Sequence, residues 1–326
     1  MKRSLIFLLA IAIILLACTS QATQETTPAM TPINLPMGYI ADPQYAPFYV
    51  AKEKGYFAEE GIDLSFDYSF ETDGMALVGA NQRPFAIVGG DQVILARAQD
   101  LPVVYILEWF QRFPIAVISK SDANIKTPQD LAGRSIGLPG FFGASYVGYL
   151  GILSAAGLQP EDVNTSEIGF TQVESLLTDK VEVIVGYINN EPVQLTSMGE
   201  PVNVIDVADY IDMVGNGIIT NETIIKENPA LVEGFVRATL RGLKDTLTDP
   251  AAAFEISKKY VEGMDDNRYP VLQASLPIWQ TDRLGITTAD SWQQTHDILL
   301  NNGLLDAPVA NLDAAFTNAF VEKVQP

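Results

Sequence analysis

Ile33-Asn34-Leu35-Pro36-Met37-Gly38-Tyr39, then Pro47-Phe48-Tyr49-Val50-Ala51-Lys52-Glu53-Lys54-Gly55, then Ile62-Asp63-Leu64-Ser65-Phe66: in this one stretch the apolar period runs from two to helical and back to two. Alternation puts Ile33, Leu35, Met37 and Tyr39 on one face of a strand, Gly55 closes a helix over 47–54, and Ile62, Leu64 and Phe66 alternate again. Strand, helix, strand is the repeating unit of α/β proteins, in which a helical crossover returns the chain parallel to itself. Working outward, short apolar runs at 85–88, 103–107, 115–118, 181–185 and 202–207 read as buried strands with helical stretches between them. Thr127-Pro128-Gln129-Asp130, Asn228-Pro229 and Asp249-Pro250 each place a capping side chain before a proline at the first helical position. Beyond Asn221 the pattern turns helical, with expected helices at 229–247, 251–261, 271–279, 291–301 and 312–324.

Two turn-rich stretches, 119–126 and 212–216, cut this body into thirds. The expected organisation is one lobe from 33–118 with 214–326 and a second from 119–213. Each lobe is a mixed sheet flanked by helices. Two crossings would join the lobes around a cleft, which is a natural ligand trap.

Composition narrows the function. The chain has 326 residues, 40 Asp+Glu against 20 Lys+Arg, and a formal charge of −20. Such an excess repels phosphate backbones and anionic lipid, so nucleic-acid binding is not expected. One cysteine and one histidine, His296, rule out an internal disulfide and a multi-cysteine zinc site, and neither a metal nor a cofactor is expected. The N-terminus is an address: Lys2 and Arg3 precede an apolar run over 5–16 that is too short to span a bilayer and ends at Cys18. The segment resembles a bacterial lipobox. The expectation is a signal peptide over 1–17, lipid on Cys18, and a polar tether over 18–32 holding the body at the outer face of the membrane. Removing the leader takes Lys2 and Arg3 with it and deepens the negative excess by two.

Neither Gly-x-Ser-x-Gly, Gly-x-x-x-x-Gly-Lys-Ser/Thr nor His-Glu-x-x-His occurs. His296 reads as a half-exposed helix residue. Three groups at strand ends can instead meet a ligand, since α/β sheets bind at the carboxyl ends of their strands. The first is Gly137-Leu138-Pro139-Gly140-Phe141-Phe142-Gly143-Ala144-Ser145-Tyr146, leading into a helix over 146–156. Its glycines free backbone N–H groups and Ser145 for a polar ligand atom, and Phe141 and Phe142 give it an apolar wall. The other reading is a tight turn with both aromatics packed inward. The second is Tyr187-Ile188-Asn189-Asn190-Glu191, where amides and a carboxylate can read a ring edge and Tyr187 can stack; Asn190 can equally serve as a helix cap. The third comprises Gln92, after the strand at 85–88, and Trp109, after 103–107, the latter either a stacking platform or core.

Asp42-Pro43-Gln44-Tyr45-Ala46-Pro47-Phe48-Tyr49-Val50-Ala51-Lys52-Glu53-Lys54-Gly55-Tyr56-Phe57, Asp130-Leu131-Ala132-Gly133-Arg134-Ser135-Ile136-Gly137 and Tyr187-Ile188-Asn189-Asn190-Glu191-Pro192-Val193 together resemble the solute-binding proteins of bacterial ABC importers. The resemblance is to the branch related to thiamine-pyrimidine synthases, and within it to riboflavin-importer lipoproteins. It implies a two-lobed periplasmic-binding-protein fold of type II and a monomeric carrier that delivers ligand to a permease and its ATPase and is not an enzyme. The ligand implied is riboflavin. A thiamine-precursor pyrimidine, formylaminopyrimidine or hydroxymethylpyrimidine, is the alternative, and a secreted hydrolase or synthase using cleft carboxylates is the alternative of another class. Ligand contacts are expected from Tyr45, Gln92, Trp109, Phe141, Phe142, Ser145, Tyr187, Asn189 and Glu191. Two amides and a carboxylate can satisfy the acceptor–donor–acceptor edge of an isoalloxazine.

Overall fold

The computed structural model describes residues 30–325; the expected signal peptide, Cys18 and all but the end of the tether lie outside them. Among the described residues ten strands carry the body. β1 (Thr31–Pro36) and β2 (Ile62–Asp67) pair in parallel, Ile33 opposite Leu64 and Leu35 opposite Phe66. β3 (Ala86–Gly89) and β4 (Val103–Glu108) flank β10 (Asn216–Asn221), which runs antiparallel to both. The remaining strands are β5 (Ile115–Lys120), β6 (Ser135–Leu138), β7 (Asn164–Glu167), β8 (Val183–Tyr187) and β9 (Val202–Asp206). They form a five-stranded sheet in the order β7-β6-β8-β5-β9. There β6 is parallel to β7 and β8, whereas β5 is antiparallel to β8 and β9. In each half, then, one antiparallel strand that has crossed from the other half is inserted between crossover-connected strands.

β5 pairs with β8 and β9 along its length. A division at 118/119 therefore falls inside a strand, and the first crossing is 109–114. The turn signal at 119–126 is the exit of β5 into a short 3-10 turn with Asn124 left-handed, a bend within the second half. The second crossing runs through 207–215.

The helices that matter for the cleft are α1 (Ala46–Glu53), α2 (Glu71–Gly79), α3 (Gly90–Ala98), α4 (Gly143–Ala156), α5 (Glu191–Ser197), α6 (Pro229–Thr248), α7 (Tyr269–Trp279) and α8 (Ala289–Asn301). α6 begins as the cap pattern predicts: Asn228 accepts the Leu231 N–H at 3.2 Å and Pro229 takes the first position. Its buried face, with Phe235 and Leu243, packs on α1. The helix expected at 312–324 is broken. Phe316 is extended, bridges to Tyr105, and stacks on Trp292 at 5.0 Å, so packing overrides helical propensity there. His296 is buried on α8, its Nε2 accepting the Val309 N–H at 3.2 Å, not half-exposed.

The two crossings lie against each other. Trp109 and Phe110 donate their N–H groups to the Asn216 carbonyl at 3.0 and 2.9 Å, and Gly215 N–H donates to Glu108 Oε1 at 3.0 Å. A Cβ on Gly215 would sit 2.3 Å from the Phe110 carbonyl oxygen. Because that neighbour is backbone, Gly215→Ala is expected to destabilise the protein by about 2 kcal/mol or more. Chemical denaturation would show this as a lowered midpoint, and an unchanged midpoint would refute the close approach.

Candidate functional site

The carboxyl ends of strands from both halves, and the helices that follow them, face one cleft of about 760 Å³ including its open mouth. The first half contributes Tyr39 beyond β1, Gln44 and Tyr45 before α1, Phe70 and Glu71 at the start of α2, and Trp109 and Phe110 beyond β4. The second contributes Phe142 and Ser145 around the start of α4, Phe170, and Tyr187, Asn190 and Glu191 at the turn from β8 into α5. Asn216 lies at the start of β10.

Aromatic rings form two groups. At the floor, Trp109 is packed among Tyr45 (5.4 Å between centroids), Phe48 (5.2 Å), Phe110 (4.5 Å) and Trp279 (5.7 Å). It is thus core on one side and cleft wall on the other. Tyr45 is fixed by donating its hydroxyl to the Met37 carbonyl at 2.7 Å. At the mouth, Phe70 stacks on Phe170 at 5.8 Å and meets Phe142 edge-on at 6.3 Å, while Tyr39 meets Phe170 edge-on at 5.0 Å. Rings from both halves therefore touch across the opening.

Polar contacts also span the halves. Tyr187 donates its hydroxyl to Asn216 Oδ1 at 3.0 Å, and Arg268 joins Asp42 to Asn190, whose Oδ1 it reaches at 3.3 Å. Two carboxylates lie in this setting. Glu191 Oε2 accepts the Tyr187 N–H at 2.7 Å. Glu71 accepts from the Gly89 N–H at 3.2 Å and from Asn216 Nδ2 at 2.7 Å. Removal from water pushes the Glu71 carboxyl up to about 8, with the neighbouring charge of Asp91 adding to the effect. Burial likewise raises Glu191 to about 7 and Asp91 to about 6. A Cβ on Gly143, the left-handed first residue of α4, would lie 3.9 Å from Glu71 Oε2. The start of α4 therefore lies beside the Glu71 carboxyl.

Of the residues expected from the sequence, Tyr45, Trp109, Phe142, Ser145, Tyr187 and Glu191 line the cleft. Three do not. Phe141 is half-exposed and turns onto Tyr146 at 5.6 Å, because adjacent residues of an extended loop face opposite ways. Gln92 donates to its neighbour Asp91 at 3.0 Å from a position behind the wall. Asn189 is fully buried and donates to Ser275 of α7 at 2.7 Å, leaving Asn190 to face the cleft. Asn190 stands at the cap position of α5 without a side-chain cap bond. Tyr39, Gln44, Phe70, Glu71, Phe170 and Asn216 were not expected. Tyr39 and Glu71 follow strands whose alternation is clear in the sequence, so the same strand-end rule would have found them. Among the described residues no cluster of three or more His, Cys, Asp or Glu is placed to hold a metal, and no helix is long and apolar enough to cross a membrane.

Against known proteins, the model of the NMT1/THI5-like family matches residues 42–253. Riboflavin-binding protein RibY of Chloroflexus aurantiacus is 42% identical, over 98% of this chain and 99% of its own. The formylaminopyrimidine-binding protein of Halalkalibacterium halodurans is 28% identical, over 96% and 98%. In structure, the MOPS-bound alkanesulfonate-binding protein SsuA of Xanthomonas axonopodis pv. citri superposes with a TM-score of 0.72 at 12% identity, over 89% of this chain and 99% of that one. That likeness carries the fold: the two-lobed binding-protein architecture expected from the sequence is the one found.

The raised carboxyls set a pH dependence. A carboxyl whose folded pKa lies above its unfolded value holds its proton longer when folded, so stability falls as pH rises toward the folded value. Between pH 6 and 8 the melting temperature of the ligand-free protein is expected to fall, with Glu71 and Glu108, both near 8, and Glu191, near 7, contributing. Glu71→Gln should flatten that slope. The same slope in the variant would show that Glu71 is ionised throughout.

Proposed function

Because the chain belongs to the NMT1/THI5-like family and has a solute-binding fold, we infer that it is the substrate-binding lipoprotein of an ABC importer, capturing riboflavin for a membrane permease and its ATPase. The observation that carries the ligand is the cleft itself. Trp109, Tyr45 and Tyr187 give one cleft its rings, and Asn190, Glu71 and Glu191 give it a rim of amide and carboxyl groups for a heterocycle's edge. Among the described residues no lysine or arginine lines it, so a neutral planar ligand fits better than a sulfonate. The full-length likeness to a riboflavin-binding protein supports the same choice.

On this reading Cys18 carries the lipid, the polar tether gives reach, and the protein works as a monomer at the extracytoplasmic face. Catalysis is not part of it: the ligand is held and released unchanged. A formylaminopyrimidine is the second ligand to consider, since two carboxyls near an amide suit an exocyclic amino group and a pyrimidine binder is similar over nearly the whole chain.

Protein lacking the leader should quench riboflavin fluorescence saturably. Tyr187→Ala should weaken binding about tenfold, or ~1–2 kcal/mol, if that ring stacks on the ligand. Saturation by a formylaminopyrimidine with no response to riboflavin would overturn the ligand, and turnover on prolonged incubation would overturn carriage.

A further inference from the structure

Two buried polar atoms in the cleft wall have no hydrogen-bond partner in the protein: Gln44 Oε1 and Trp109 Nε1. Both residues line the cleft, and both are more than nine-tenths buried, at 5% and 2% exposed. Buried polar atoms are nearly always paired, and an indole N–H can only donate while an amide oxygen can only accept. An unpaired donor and an unpaired acceptor on one wall are what a ligand with the complementary edge would satisfy.

The backbone of Gln44 and the ring of Trp109 are both held in place. Gln44 sits in a 3-10 turn (Pro43–Tyr45) whose start is capped by Asp42, its own N–H donating to Asp42 Oδ1 at 3.0 Å. Asp42 is in turn held by Arg268. Trp109 is clamped by four rings and cannot swing its N–H to another acceptor without disrupting the floor. The donor is therefore fixed on the wall, and the backbone that carries the acceptor is fixed beside it.

We propose that Gln44 and Trp109 are specificity-determining residues that read the ligand's edge, Gln44 accepting a ring N–H and Trp109 donating to a ring carbonyl. The ligand class is a cyclic imide or ureide fused to a flat aromatic system. This deepens the riboflavin reading and rests on it. It adds two groups from the first half of the molecule to the rim at Asn190 and Glu191. The group that settles ligand identity then stands beside the stacking floor.

The test compares riboflavin with 3-methylriboflavin, in which the ring N–H is replaced by N–CH₃, by fluorescence quenching on the wild type and on Gln44→Met. The wild type is expected to reject the methylated flavin by at least about tenfold. In Gln44→Met, riboflavin affinity should fall by about tenfold or more and the discrimination should collapse. The melting temperature of the ligand-free variant should hold or rise, because an unpaired buried amide has been replaced by an apolar chain of similar length. A purely structural Gln44 would give the opposite: lower stability with discrimination retained. Discrimination retained in the variant, or absent in the wild type, overturns the assignment while leaving riboflavin as ligand. A wild type that binds neither flavin overturns the riboflavin reading itself.

Discussion

The hydrogen bond from Gly215 N–H to the buried Glu108 carboxyl, 3.0 Å long, ties the two chain crossings together. Everything that makes a cleft depends on that junction. β4 ends at Glu108 and β10 begins at Asn216, so the same few residues close the first sheet and hand the chain to and from the second. The missing side chain at Gly215 lets the Phe110 carbonyl approach, and Trp109 and Phe110 share the Asn216 carbonyl. Trp109, the floor of the cleft, and Asn216, part of its rim, are thus residues of the junction itself. A displacement there moves the site as well as the hinge.

The junction is also where the apolar core passes from one half to the other. One cluster runs from Val88 and Val93 through Phe113 and Ile115 to Val147 and Leu150, and α8 adds Trp292 to it. Val214 N–H donates to Thr295 on α8 at 3.0 Å, so α8 braces the second crossing. Several carboxyls, Glu71, Asp91, Glu108 and Glu191, are enclosed beside this apolar body and taken out of water. Their raised pKa values follow from that burial. In a protein with a large surface excess of acid, these few enclosed carboxyls can hold protons near neutral pH and so offer donors as well as acceptors.

Period and punctuation made much of the fold legible. The alternation at Ile33, Leu35 and Met37, the apolar runs, and the Asn228-Pro229 cap all mark elements that form where local pattern and burial agree. Where tertiary contact decided, the pattern misled: Phe316 leaves its helix to stack on Trp292, and 119–126 reads as a boundary although it is only a bend. The site was legible where a residue follows a strand whose end is plain, as Trp109 and Tyr187 do. It was not legible between neighbours. Asn189 and Asn190 look alike in sequence, and only the turn into α5 decides which one faces Ser275 and which the cleft. Arg268 meets Asp42 across most of the chain, and no local signal predicts that.

A planar ligand is expected to lie between the two halves, and the structure of the riboflavin-saturated protein tests this most directly. The expected result is an isoalloxazine ring in the interlobe cleft, its face on Trp109 or Tyr187 and residues of both halves in contact with it. A flavin bound at any other surface, or a cleft left without flavin at saturation, would contradict it.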